Sequence, residues 1–155
     1  MRGNPAVILL VEDNEAHAML TMRALEDAKV ANEIHWVVDG EEAVNYLFHR
    51  GKYADKKKSP RPDLILLDLR LPKLDGHEVL RIIKNSDDLK HIPVVVLTTS
   101  KREGDMAKAY NNYVNSYLVK PIDFGEFTEM IRELGFYWLI WNRHPYKDKG
   151  ENCSI

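Results

Sequence analysis

The chain has 155 residues, 45% hydrophobic and 30% charged, with a formal net charge of −2; that is enough for one domain with a self-sufficient core. The balanced charge gives no electrostatic case for nucleic acid or for an anionic membrane. With Cys153 as its single cysteine the chain cannot form an internal disulfide, and its N-terminus carries neither a signal-peptide pattern nor a membrane-spanning run, so the cytoplasm is the expected compartment.

In chain order, "AVILLV" (Ala6–Val11) comes first: short, rich in branched residues and hydrophobic on both faces, as a parallel strand covered on both sides must be. Ala18, Met22, Leu25 and Ala28 then fall on one helical face. "EIHWVV" (Glu33–Val38) predicts a second strand, and Ala43, Val44, Leu47 and Phe48 a second helical stripe. "HRGKYADKKKSPRP" (His49–Pro62) is polar, basic and punctuated by proline. It is longer than the usual αβ connection of about 2–6 residues and reads as a solvated surface loop.

The third strand lies in "RPDLILLDLRLPKLDG" (Arg61–Gly76), where an apolar run from Leu64 to Leu67 ends on Asp68. Val79, Leu80 and Ile83 form the next stripe, "IPVVVLT" (Ile92–Thr98) the fourth strand, and Met106, Ala107, Tyr110 and Val114 another stripe. "SYLV" (Ser116–Val119) and the stripe Phe124, Phe127, Ile131 and Leu134 complete a fifth strand–helix unit. This alternation predicts an α/β fold, a doubly wound five-stranded parallel sheet with helices on both faces. Right-handed crossovers gather the strand C-terminal ends along one edge, where open α/β sheets place their sites.

The residues just past the strands form a set: Glu12 and Asp13 after the first, Asp68 after the third, Thr98 and Thr99 after the fourth, and Lys120-Pro121 after the fifth. Singly each is ordinary, since Asp13 or Asn14 would serve as a helix cap and a Lys-Pro as a turn. Together they converge on one rim. Three carboxylates so close repel, and would take up protons unless a cation sat among them. Mg2+ prefers such oxygens and often completes its shell with a phosphoryl group, so the set fits metal-assisted phosphoryl transfer. Asp68 is then the nucleophile, able to form an aspartyl phosphate. Lys120 neutralises the transferred group, Thr98 donates a hydrogen bond to it, and Glu12 and Asp13 hold the metal.

The pieces "ILLVEDN", "LILLDLRLPKLDG", "VVVLTTS" and "SYLVKP", in this order and spacing, resemble the receiver domains of two-component response regulators over roughly residues 6–134. The resemblance implies a flavodoxin-like (βα)5 fold of strand order 2-1-3-4-5 and phosphotransfer from a histidine kinase to Asp68. It also implies metal ligation by Asp68 and by the backbone carbonyl of Arg70, a switch pair Thr98 and Tyr117, and a cis bond before Pro121. The acidic pair here is Glu-Asp where the family usually has Asp-Asp, and the longer Glu12 has the reach to act through a water. The Arg70 side chain is expected to overlie the phosphoryl group and alter the access of attacking water. Phosphorylation would draw Thr98 inward and let Tyr117 rotate into the vacated space. The long loop after Phe48, the "IPVVVLTTS" block and the aromatic "FYWL" further resemble the single-domain regulators paired with phytochrome-type histidine kinases.

"GFYWLIWN" (Gly135–Asn142) predicts that the last helix is extended and apolar on more than its core side, a face that needs covering. Phe136, Trp138, Leu139 and Ile140 are the expected interface of a two-fold homodimer. Residues 1–142 form the receiver on this reading, and the polar segment 143–155 is expected to be disordered. That segment is too short for a helix-turn-helix module, so output is expected to pass through protein–protein contacts.

Three rivals share some of these features. A nucleotide-binding α/β enzyme would need a glycine-rich phosphate loop where "VEDNEAH" stands. A haloacid-dehalogenase-type phosphatase would need an aspartate at Arg70. A pseudo-receiver scaffold would have no use for Asp68, Thr98 and Lys120 together. The six histidines show no metal-ligand spacing; His17 would lie beside the acidic rim, in reach of a partner kinase.

Overall fold

In the computed structural model, which describes residues 6–27, 32–99, 102–111, 114, 116–120 and positions 125, 126, 129, 132 and 133, strand and helix alternate as the hydrophobic periods require. The order is β1 (Ala6–Val11), α1 (Glu15–Asp27), β2 (Asn32–Val37), α2 (Gly40–Leu47), β3 (Leu64–Leu67), α3 (Gly76–Lys84), β4 (Val94–Thr98), α4 (Glu103–Asn111) and β5 (Ser116–Val119). All pairings are parallel and the sheet order is β2-β1-β3-β4-β5, the doubly wound arrangement expected from the sequence.

The two-residue period of the strands divides the core into two layers. Leu9, Val11, Ile65, Leu67, Val94 and Val96 pack beneath Ala43, Leu47, Val79, Leu80, Ile83 and Ala109 of α2, α3 and α4. Ile8, Leu10, Leu64, Leu66, Val95 and Leu97 pack beneath Ala18, Ala24 and Leu25 of α1. Every residue of β3 and β4 is buried, so neither strand has a polar face and each can end only by emerging at the rim.

Side chains define the helix starts. Asn14 accepts from the His17 amide at 3.0 Å, Asp39 from Glu42 at 2.7 Å and Asp75 from His77 at 3.0 Å, each offsetting one orphan amide of a first turn. The cap of α1 is therefore Asn14, which leaves Asp13 free for the rim.

Among the described residues, two stripe positions differ from expectation. Phe48 is the C-cap of α2, outside the helical register, and is exposed with the Arg50 guanidinium 5.0 Å from its ring centre. Tyr110 is half exposed because α4 turns Met106 and Ala109 to the core instead. The basic loop is an ordered structure, not only a solvated one. A 3-10 turn at Gly51–Tyr53, Tyr46 Oη donating to Pro60 O at 2.7 Å, His49 Nε2 at 2.9 Å from Ser59 O, and Arg61 Nη1 donating to Asp88 O at 2.9 Å pin it down. Lys56, Lys57 and Lys58 stay exposed.

Positions 125, 126, 129, 132 and 133 are helical and exposed, with Arg132 paired to Glu129 one turn before it at 2.5 Å. The proposed cis bond at Pro121, the stripe Phe124, Phe127, Ile131 and Leu134, the interface residues Phe136, Trp138, Leu139 and Ile140, and the segment 143–155 lie outside the described residues. No helix among the described residues is long and apolar enough to cross a membrane.

Candidate functional site

The sheet order places β1 and β4 on either side of β3, so the residues that follow these strands are neighbours. Asp68 is 7% exposed, Glu12 2% and Lys120 7%, while Thr98 is fully buried; Asp13 is exposed. Ligand atoms of Glu12, Asp13 and Asp68 lie within 4.8 Å of one another. The predicted acidic cluster is thus one site, with two carboxylates in the wall and one at the mouth.

Donors hold the Asp68 carboxylate on both oxygens. Oδ1 accepts from the Thr98 hydroxyl at 2.8 Å and from the Arg70 amide at 3.0 Å; Oδ2 faces the Lys120 ammonium at 3.3 Å. Lys120 also donates to Glu12 Oε1 and lies 3.2 Å from His17 Nδ1, so its three N–H donors have three acceptors. Glu12 Oε2 accepts from the Asn14 amide at 3.2 Å.

Burial pushes the Glu12 carboxyl up to about 7, the Asp68 charge adding to the rise while the Lys120 ammonium and the Asn14 amide oppose it. Burial, with Lys120 adding, moves the His17 imidazole down, against the pull of Asp68 and Asp13, which suits it to accept from an ammonium. Three carboxylates against one ammonium leave a formal charge of −2 (−3 + 1) on the ionised set. An all-oxygen donor set with that surplus fits a hard divalent cation such as Mg2+.

Two parts of the frame around the site, Trp36 and Gly76, could not be read in the sequence. Trp36 Nε1 of β2 donates to the Glu12 carbonyl at 2.7 Å. Gly76 sits so close to the backbone after β3 that a Cβ there would lie 2.4 Å from Asp68 O and 2.6 Å from Leu69 Cα. Tyr117 is buried in the α2–α4 core layer opposite Val96. The Arg70 side chain turns to Asp105 of α4, Nη2 to Oδ2 at 2.5 Å. His77 is buried and reaches the other oxygen of Asp105.

The family model of the response regulator receiver domain matches residues 8–132. The chain belongs to that family. The probable methanogenesis regulatory protein FilR2 of Methanothrix harundinacea is 52% identical to this receiver over 143 residues, 92% of this chain and 89% of that protein. The crystal structure of the phosphorylated cyanobacterial phytochrome response regulator RcpA superposes with a TM-score of 0.82 at 44% identity, covering 87% of this chain and 94% of that one. The Mn2+-bound response regulator Rcp1 gives 0.81 at 45% identity over 87% of this chain and 95% of its own; Rcp1 is a Synechocystis protein. The resemblance to phytochrome-associated regulators therefore holds over most of the receiver.

Proposed function

We propose that this receiver is a cytoplasmic phosphoacceptor that takes a phosphoryl group from a histidine kinase onto Asp68 with Mg2+ and signals through protein–protein contacts. The observation that carries the reading is the buried Asp68 carboxylate between Thr98 and Lys120 at the rim that Glu12 and Asp13 share. A carboxylate oxygen of Asp68 attacks phosphorus, the P–O bond forms, and the P–N bond of the phosphohistidine breaks. The leaving nitrogen takes the bonding pair and is protonated from water. Lys120 and Thr98 meet the charge on the transferred oxygens, and water later hydrolyses the acyl phosphate. Bound through Glu12, Asp13, Asp68 and the Arg70 carbonyl, Mg2+ would supply charge neutralisation for the incoming phosphoryl oxygens.

RcpA and Rcp1 support this reading because one was crystallised phosphorylated and the other with a divalent ion. A phytochrome-type kinase is the donor that these relatives suggest. A second copy of the chain is the partner proposed for Phe136, Trp138, Leu139 and Ile140. Incubation with a small phosphodonor and Mg2+, read by intact mass, tests the reading. One phosphoryl group should be gained, and lost in Asp68→Ala. An unmodified wild-type chain would leave the pseudo-receiver scaffold standing. Sedimentation of the same samples reads the dimer, which Trp138→Ala with Ile140→Ala should weaken.

A further inference from the structure

Asp105 lies in the first turns of α4 and offers one carboxylate to two elements of the neighbouring unit. Its Oδ2 takes the Arg70 guanidinium at 2.5 Å and its Oδ1 lies 3.2 Å from His77 Nε2. The Asp105 side chain is 16% exposed, His77 7% and Arg70 51%, so the acid and the imidazole are fixed in the wall while the arginine lies along the surface. His77 Nδ1 is buried with no hydrogen-bond partner among the described residues, and the imidazole therefore has Asp105 as its described polar anchor.

Arg70 is at the same time tied to the acceptor, since its amide donates to Asp68 Oδ1 at 3.0 Å. An arginine stem rooted there is long enough for its guanidinium to reach either Asp105 or a group attached to Asp68. A phosphoryl dianion with three acceptor oxygens is a stronger bidentate partner than a single carboxylate oxygen.

We infer that Asp105 is a positioning residue, which holds the Arg70 guanidinium on α4 until Asp68 is phosphorylated, so that the exchange of Arg70 from Asp105 to the phosphoryl group loosens α4 from the loop after β3. The inference rests on the phosphoacceptor reading and extends it to a named route from Asp68 to a helix. His77 makes the exchange affordable in a half-buried setting: when Arg70 leaves, Asp105 keeps its contact with the imidazole and is not stranded. No bond is made or broken beyond these hydrogen bonds and ion pairs.

Linkage fixes the sign. If the occupied site breaks the Arg70–Asp105 pair, removing that pair must favour occupancy by the same factor. The test titrates the full chain with trifluoroberyllate, a non-covalent phosphoryl mimic, in Mg2+. Asp105→Asn, which keeps the side-chain shape, should bind it about threefold more tightly, the scale of a half-exposed ion pair. Arg70→Ala should bind it more weakly, and adding Asp105→Asn to that background should change nothing. Amide exchange in residues 103–111 should rise on mimic binding in the wild type and already be raised in Asp105→Asn without it. An unchanged affinity in Asp105→Asn overturns the tether, as does a gain that persists once Arg70 is gone. Failure of the wild type to bind the mimic overturns the phosphoacceptor reading and the tether with it.

Discussion

The indole of Trp36 donates to the main-chain carbonyl of Glu12 at 2.7 Å, and the Glu12 amide donates to the Val37 carbonyl at 3.0 Å. β2 thus holds from both sides the first residue beyond β1, the backbone from which both acids of the pair project. Trp36→Phe keeps the apolar body and removes the donor. It should cost about 1 kcal/mol of stability, as one lost hydrogen bond does, and lower Mg2+ affinity because Glu12 and Asp13 lose their fixed starting point. Denaturant unfolding and calorimetric Mg2+ titration check the two parts. An unaltered Mg2+ affinity would show that the indole serves packing alone.

The hydroxyl of Thr98 is fully buried and bonds directly to Asp68 at 2.8 Å. Thr98→Val preserves shape and takes away a charge-assisted bond of about 1.5–3 kcal/mol. Labelling of Asp68 by a small phosphodonor should slow by about 10- to 100-fold, the rate equivalent of such a bond. Thr98→Ser should recover most of the rate, since the hydroxyl and not the methyl is at issue.

Gly76 begins α3 with its amide on the Leu69 carbonyl at 3.2 Å. A methyl group there would meet main-chain atoms of Asp68 and Leu69, and backbone cannot swing aside as a side-chain tip can. Gly76→Ala should destabilise by about 1–3 kcal/mol and slow phosphorylation, because the displaced segment carries Asp68, the proposed acceptor. Gly51→Ala is the comparison. It is strained by a φ of 59° but has open space around it, so it should lower stability by about 1–2 kcal/mol without touching the labelling rate.

The sheet and the rim were legible because strands covered on both faces leave unbroken apolar runs, and whatever polar residue ends such a run must stand at its edge. That logic found Asp68, Thr98 and Lys120. It could not find Trp36 or Asp105, whose roles depend on contacts across 24 and 35 sequence positions. Stripe reasoning put Tyr110 on the core side by its spacing from Met106; the helix uses the spacing of three, to Ala109, and both spacings satisfy the same period. Phe48 misled because a cap residue has no helical face to share. His77 looked like any isolated histidine until α4 brought a carboxylate to it.

Lys120 is the one cation facing Glu12 and Asp68 among the described residues, and its own side chain is 4% exposed. Lys120→Met would leave two buried carboxylates without their partner, a loss of about 3–5 kcal/mol for a broken buried pair. The pH dependence follows from Glu12, whose folded-state pKa is raised from 4.5 to about 7 by burial even with the lysine present. A raised carboxyl binds its proton more tightly when folded than when unfolded, so stability falls as pH rises from the unfolded value toward the folded one. Without Mg2+, both proteins should therefore lose stability between about pH 4.5 and 7 from this group. The variant should lose more and over a wider range, since the ammonium no longer opposes the rise. On the proposed reading Mg2+ competes with the proton on Glu12, so its affinity for the wild type should grow through this same interval and level off above it. The added cation should also stabilise Lys120→Met more than the wild type, restoring part of the missing positive charge. Thermal unfolding at pH 5, 7 and 8 with and without Mg2+ measures all of this, and a variant insensitive to pH and to Mg2+ would mean that the two acids do not share a field.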